Sequence, residues 1–486
     1  MNDKQFHRKV ANAAKWSSIT EIIAKIIVPL VNMILARILA PEAFGVIATI
    51  TMIISFADMF TDAGFQKYLV QHEFSNEKDK HNNANVAFWT NFIVSILLWG
   101  IITIFNEQIA TMVGNPGLGL VIIVASIQLP LTSFSSIQMA LFRRDFDFKT
   151  LFIVRVISIT IPLIVTIPLA LFGLSYWSLI IGTICVQIFN AVILTFKSRW
   201  KPKLFYKVRI LREMLSFSIW SLAEAISIWL TVWIDAFIIG YYLNEYYLGI
   251  YKTSTTMVNS FLALITAATV PVLFSALSRL QNNKDEFEKM FLKFQRLVSI
   301  LVLPLGVGVF LYSDLATKMM LGSQWAEASD VIGIWALTSS LVIVLSHFCS
   351  EVYRAKGRPK LSFLAQILHL VVLVPVCVIS SKYGFWMLVY ARSFIRLEGI
   401  LVHFILMKIA IGFPIFKIIR NVFPAMIATI IMGFLGCVLQ RLNNGLAWSF
   451  ISIAICILSY FSFLYLFPSI RKEMKEIREK LFFNKS

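Results

Sequence analysis

The chain has 486 residues, of which 58% are hydrophobic, 14% aromatic and only 14% charged, with a mean hydropathy of +0.78. Soluble domains carry about 25% charged residues, so this composition excludes a water-soluble enzyme, a secreted domain and a disordered chain, and leaves a polytopic membrane protein. A net charge of +18 would point to nucleic acid in a soluble protein; in a membrane protein its placement sets topology, and no nucleic-acid partner is expected.

A membrane helix needs about 20 apolar residues. In chain order the apolar windows predict fourteen: 16–39, 42–64, 85–105, 117–142, 151–172, 176–197, 216–241, 246–278, 295–313, 330–352, 361–381, 385–410, 417–439 and 446–467. No small-residue cleavage site follows the first run, which therefore reads as a retained span rather than a signal peptide. Pro29, Pro130, Pro162, Pro168, Pro271, Pro304 and Pro375 fall within spans and predict bends, because each removes one backbone hydrogen bond. Cys185, Cys349, Cys377, Cys437 and Cys456 are scattered through apolar runs without a CxxC pair. They read as small hydrophobes, and no metal site or catalytic residue is expected.

The connections alternate in charge. Of the 44 Lys and Arg, 35 lie in the two terminal stretches and every second connection, while the other connections hold only Lys318, Lys382 and Arg441, with Arg37 near the rim. Positive residues stay cytoplasmic, which places both ends of the chain inside and requires an even number of spans. Two basic stretches carry apolar residues at helical spacing: Leu204, Val208, Leu211 and Leu215, then Ile470, Met474, Ile477 and Leu481. Both read as helices lying on the anionic leaflet. Trp16, Trp220, Trp386, Tyr241, Tyr242, Tyr246 and Tyr247 sit near span ends and look like interface belts.

At an offset of 204, residues 16–51 align with 220–255: Trp16 falls on Trp220, Ile34 on Ile238, Leu39 on Leu243, Gly45 on Gly249 and Thr51 on Thr255. The offset equals six helices. The predicted architecture is therefore an all-α polytopic membrane protein of about 14 transmembrane helices: a six-helix lobe over 1–205, a second over 206–411 in parallel repeat, and an extra helix pair with a cytoplasmic tail over 412–486. Duplicated halves of this kind are a common plan for transporters.

Three local patterns accompany this plan: Leu39-Ala40-Pro41-Glu42-Ala43-Phe44-Gly45; Asp62-Ala63-Gly64-Phe65 followed by Leu69-Val70-Gln71; and Leu141-Phe142-Arg143-Arg144-Asp145-Phe146-Asp147-Phe148-Lys149. With them the chain resembles, over essentially its whole length, the bacterial polysaccharide flippases of the multidrug/oligosaccharidyl-lipid/polysaccharide exporter superfamily. The resemblance implies translocation of a lipid-linked oligosaccharide, usually on undecaprenyl pyrophosphate, across the cytoplasmic membrane. It also implies contact with membrane lipids and a setting beside polysaccharide polymerase and export machinery.

Ionisable residues inside spans are expensive, at least about 2.5–3.5 kcal/mol each, and usually face a cavity. The cations are Lys25, Arg155, Lys252, Arg392 and Arg396. Arg392, Arg396 and His403 recur at i, i+4 and i+11 and fall within about 40° of one another on a helix. Such a cationic face suits a phosphate-bearing substrate, since a guanidinium can bond two oxygens at once; the alternative is an interhelical salt bridge to Asp235 or Glu224. Lys25 either meets the same substrate or pairs with Glu21 one turn earlier. Arg155 and Lys252 either line the path or snorkel to the rim. No Gly-x-x-x-x-Gly-Lys-Ser/Thr occurs, so energy is expected from H+ or Na+ rather than a bound nucleotide, and no cofactor is expected. Asp58, Glu224 and Asp235 are the coupling candidates, or structural partners of the cations; Asp62 reads as a helix-end residue. A cation-coupled drug exporter would show acidic cavities and twelve spans. A membrane enzyme of polysaccharide assembly would need a large outer loop, and no HExxH or GxSxG appears.

Overall fold

A computed structural model describes residues 3–62, 64–443, 445–468 and 470–471. Among the described residues every regular element is a helix, as expected where lipid leaves backbone N–H and C=O groups no partner but one another. The long helices are α1 (Asp3–Ile38), α2 (Pro41–Asp62), α3 (Glu77–Ile104), α4 (Gly119–Arg144), α5 (Phe148–Leu171), α6 (Tyr176–Lys197), α7 (Val208–Tyr242), α8 (Glu245–Arg279), α9 (Lys284–Leu311), α10 (Ala328–Ala355), α11 (Lys360–Ser381), α12 (Phe385–Leu406), α13 (Ile415–Leu442) and α14 (Leu446–Tyr465). Among the described residues thirteen are long and apolar enough to cross a membrane. The remaining one, α12, has 22 residues, the length for a span, but carries Arg392, Arg396 and Glu398. The predicted spans thus match the helices, and the exception by composition is the span read as functional. Breaks occur at Ile127 in α4 and Val165 in α5, each three residues before a proline whose ring displaces the carbonyl four residues back. A π-helical turn, Ile343–His347, interrupts α10.

One expectation is corrected. Val208, Leu211 and Leu215 belong to no separate surface helix; they occupy the first turns of α7, a continuous 35-residue helix, and Leu204 lies exposed in the chain before it. That chain is held by α3, with Trp89 Nε1 donating to the Lys203 carbonyl (2.9 Å) and the Lys203 N–H donating to Asn85 Oδ1 (3.0 Å), so side-chain anchoring overrides the apolar spacing. The second predicted surface helix falls, from Met474 onward, outside the described residues.

The chain divides into two compact units. The first comprises residues 1–253 with 377–385, the second 254–376 with 386–486. In the first, α1 packs on α5, α2 on α3, α4 and α7, and α6 on α4 and α5. Its core is aliphatic along α2, α4 and α6 and aromatic at one end, where Phe65, Tyr68, Phe88 and Trp200 are buried together. The motif residues build that end. Asp62 Oδ1 accepts the Gln66 N–H at 3.3 Å. Gly64 takes φ +81°, a left-handed turn that favours glycine, and starts the short helix Phe65–Gln71. Arg144 closes that helix: its Nη1 donates to the carbonyls of Leu69, Val70 and His72 at 2.8, 3.2 and 2.6 Å, and its guanidinium lies 4.5 Å over Phe74. The second and third sequence patterns are two halves of one clamp.

The first pattern has a different use. Pro41 opens α2, where its missing N–H costs nothing. A Cβ on Gly45 would sit 1.8 Å from the Glu245 carbonyl oxygen, and a Cβ on Gly249 would sit 1.9 Å from the Pro41 carbonyl oxygen. Pro41 and Glu245 differ by the same 204 positions as Gly45 and Gly249. The starts of α2 and α8 therefore touch backbone to backbone, reciprocally.

In the second unit α9 packs on α10 and α13, and α14 packs on α13. Polar side chains strap the last pair to α9. Lys417 Nζ donates to Glu288 Oε2 (2.7 Å), Arg296 bonds Asn421 Oδ1 through Nε and Nη2 (2.9 and 2.6 Å), and Tyr312 donates to Ser452 Oγ (2.9 Å).

Candidate functional site

The cationic stripe of α12 lies against α10. Arg396 stacks its guanidinium 4.1 Å from the Trp335 ring centroid and donates from Nη1 to Ser339 Oγ at 2.7 Å. Arg392, 5% exposed, lies 5.4 Å from the same ring. Trp335 is itself buried and donates from Nε1 to Asn259 Oδ1 at 3.1 Å. Helical geometry accounts for the match: Arg392 and Arg396 are one turn apart on α12, Trp335 and Ser339 one turn apart on α10, so the two pairs meet rung to rung. An aromatic face carries negative charge density and holds a cation at about 0.5–2 kcal/mol per contact. Such a contact does not itself neutralise the charge.

His403 joins the same face lower down. Its Nδ1 is 3.2 Å from the Tyr353 hydroxyl, which also bonds the His403 carbonyl at 3.2 Å, and the two rings stack at 5.8 Å. Arg392, Arg396 and His403 thus share one face, as their spacing predicts, and its partners are Trp335, Ser339 and Tyr353 of α10. Sequence reasoning missed those three; the sole signal is the four-residue step from Trp335 to Ser339, common to any helix. It also missed His369, on α11, whose Nδ1 lies 3.0 Å from Glu398 Oε2 of α12.

The first unit holds the remaining candidates. Asp58 lines a cavity of about 200 Å³ with Thr51, Ser55, Gln128 and Thr183 among its walls. Its Oδ1 accepts from the hydroxyls of Thr132 and Thr61, both at 3.3 Å. Trp229 Nε1 donates to Ser55 Oγ at 3.0 Å, bringing α7 to the same place. Asp235 is buried and accepts the Tyr251 hydroxyl at 2.7 Å. Lys252 bridges α8 to α7: its Nζ donates to the Val232 carbonyl (2.9 Å) and lies 3.8 Å over the Trp233 ring. Lys25 is half-buried on α1, one turn from exposed Glu21, and Arg155 is exposed on α5. The side chain of Glu224 lies outside the described residues.

A family model described as polysaccharide biosynthesis protein matches residues 34–330. The chain is 24% identical to the succinoglycan biosynthesis transport protein ExoT of Rhizobium meliloti over 65% of its own length and 63% of that protein's, so this match spans less than two thirds of the relative. It is 22% identical to an uncharacterized membrane protein in the cps region of Klebsiella pneumoniae over 97% of each chain. Among solved structures it is similar to the lipid II flippase MurJ in an inward closed conformation, with a TM-score of 0.73 at 16% identity, over 92% of this chain and 98% of the other. At that identity the likeness establishes the fold.

Proposed function

The chain belongs to the polysaccharide biosynthesis protein family, and on that premise we propose that it is a flippase of the bacterial cytoplasmic membrane, translocating a lipid-linked oligosaccharide with a pyrophosphate linkage. The observation that carries the reading is the pair of guanidinium groups of Arg392 and Arg396, set inside a membrane-length helix and stacked on one buried indole. Two fixed positive charges suit a diphosphate, and a guanidinium fork suits its oxygens. The names of the relatives, a transport protein of polysaccharide biosynthesis among them, favour the same substrate class, and transport asks for no covalent step.

The two repeats, 1–205 and 206–411, are the halves that alternate, with 412–486 appended. Lys25 and Arg155 are the candidate anion contacts of the first repeat. Lys252 holds α7 to α8 and acts on the substrate through that placement. Asp58, facing a cavity with hydroxyl and amide oxygens around it, is the leading coupling group for H+ or Na+, since oxygen donors serve either ion; Asp235, bound by Tyr251, and Glu224 are the others.

The test is translocation of a polyprenyl-pyrophosphate oligosaccharide by the full chain in proteoliposomes. Arg396→Ala lowers the rate at least about tenfold, the factor that ~1.4 kcal/mol of lost binding carries, while insertion and melting temperature hold. An unchanged rate in that variant overturns the site. A wild-type chain that moves no polyprenyl-pyrophosphate oligosaccharide overturns the function.

A further inference from the structure

We propose that the cavity at Asp58 binds a monovalent alkali cation, held by the Asp58 carboxylate and by neutral oxygens of α2, α4 and α6. Asp58 is read above as the leading coupling group, and only the link from this site to transport rests on that reading. The cavity, about 200 Å³, is walled by Thr51, Ser55 and Asp58 of α2, Ala125 and Gln128 of α4 and Thr183 of α6, with isoleucines between them. Hydrogen bonding decides what those walls offer, since a hydroxyl has one proton to give. Thr51 Oγ1 gives its proton to the Ile47 carbonyl (2.7 Å), Thr183 Oγ1 to the Leu179 carbonyl (2.8 Å) and Ser55 Oγ to the Met52 carbonyl (3.0 Å). What these hydroxyls have left is lone pairs.

The carboxylate is poorly served by its neighbours. Thr132 and Thr61, the two hydroxyls at Asp58 Oδ1, each have a nearer carbonyl, at 2.8 and 3.0 Å against 3.3 Å for the carboxylate. Among the described residues Asp58 Oδ2 accepts no hydrogen bond, and no lysine or arginine pairs with either oxygen. A carboxylate inside a span is costly, and here the missing positive charge is either a proton or a cation. A proton needs one acceptor, so the several oxygens gathered around it are surplus; a hard cation uses them all. One carboxylate balances one positive charge, which favours an alkali ion over calcium, whose protein sites gather several carboxylates. The backbone agrees. α4 breaks at Ile127, between Ala125 and Gln128, both of which line the cavity. Irregular backbone at membrane depth is tolerated where it lines a cavity, and interrupted helices are where carriers coordinate ions. Trp229 of α7 donates to Ser55 Oγ at 3.0 Å, so an ion among these oxygens acts on α7 as well.

The experiment is equilibrium binding of radioactive sodium, and of radioactive rubidium as a stand-in for potassium, to the detergent-solubilised full chain. It compares wild type, Asp58→Asn and the double variant Thr51→Val, Thr183→Val. Wild type binds at least one of the two ions saturably. Asp58→Asn, which keeps the shape and removes the charge, weakens that binding at least about tenfold, the scale of losing a member of a cation site. The double variant keeps the carboxylate and the volume but removes hydroxyl oxygens, and it weakens binding severalfold, which a carboxylate acting alone does not require. Wild type that binds neither ion overturns the proposal. So does binding that either variant leaves unchanged, or that calcium displaces at far lower concentration than sodium or rubidium. Should Asp58→Asn fail to fold, the double variant decides. Translocation separates the two readings. A rate unchanged in Asp58→Asn overturns the coupling role while the ion site stands; a rate lost in that variant, when wild type binds no alkali ion, overturns the ion site and leaves Asp58 to a proton.

Discussion

At the scale of single residues, the decisive contact is one that sequence periodicity could half anticipate. The steps from Arg392 to Arg396 and to His403 fix which residues share a face, because helical geometry depends on nothing else. They do not fix what that face meets, which is a property of another helix 57 residues away in the chain for the Ser339–Arg396 contact. Among the contacts of that face are an aromatic ring, a hydroxyl and a phenol. Trp335 then acts as a positioning residue for both guanidinium groups. Trp335→Leu removes both cation–ring contacts and leaves the guanidinium groups without their support, so pyrophosphate affinity, read by calorimetry, falls about tenfold, ~1.4 kcal/mol in binding free energy. Trp335→Phe, which keeps a ring, recovers most of that loss, a rescue that a mere packing role for the indole does not require. Asp58 shows the same division: the sequence marks it as an acid inside a span, while Thr132, which bonds it from 74 residues away, is legible only in three dimensions.

At the scale of elements, the helices were readable because composition alone decides them: apolar windows of membrane length have no other way to satisfy their backbones in lipid. The exceptions are physical as well. Val208–Leu215 has the spacing of a surface helix, yet anchoring of the preceding chain by Trp89 and Asn85 lets it run on as part of α7. The loosest sequence patterns gain the most from the structure, since Asp62, Gly64 and Arg144 shape a single short helix from both ends. A cation at the carbonyl end of a helix is favourable, and one guanidinium here serves three carbonyls. Arg144→Ala should destabilise the first unit by about 1–3 kcal/mol, the cost of leaving such acceptors unmet, seen as a lower melting temperature and earlier proteolysis near residues 65–80. Arg144→Lys should restore little, because an ammonium has neither the planar fork nor the stacking on Phe74.

At the scale of the whole molecule, the 204-residue offset recurs in a close contact between the starts of α2 and α8. Gly45 faces the backbone at the start of α8 and Gly249 the backbone at the start of α2, at distances where no side chain fits. Their substitutions should therefore behave as twins: Gly45→Ala and Gly249→Ala each push the helix starts apart, cost about 1–3 kcal/mol, and depress melting temperature and transport to similar extents. Very unequal effects would count against a symmetric joint. The last helix pair, α13 and α14, is tied to α9 by polar contacts. Glu288 and Arg296 on α9 find partners in Lys417 and Asn421, and Tyr312 finds one in Ser452. Without α13 and α14 those groups would lose these partners, and a buried polar or charged group left unmet is costly. The last two helices are therefore a brace and not a detachable end: a chain could shed them only if Glu288, Arg296 and Tyr312 were replaced as well.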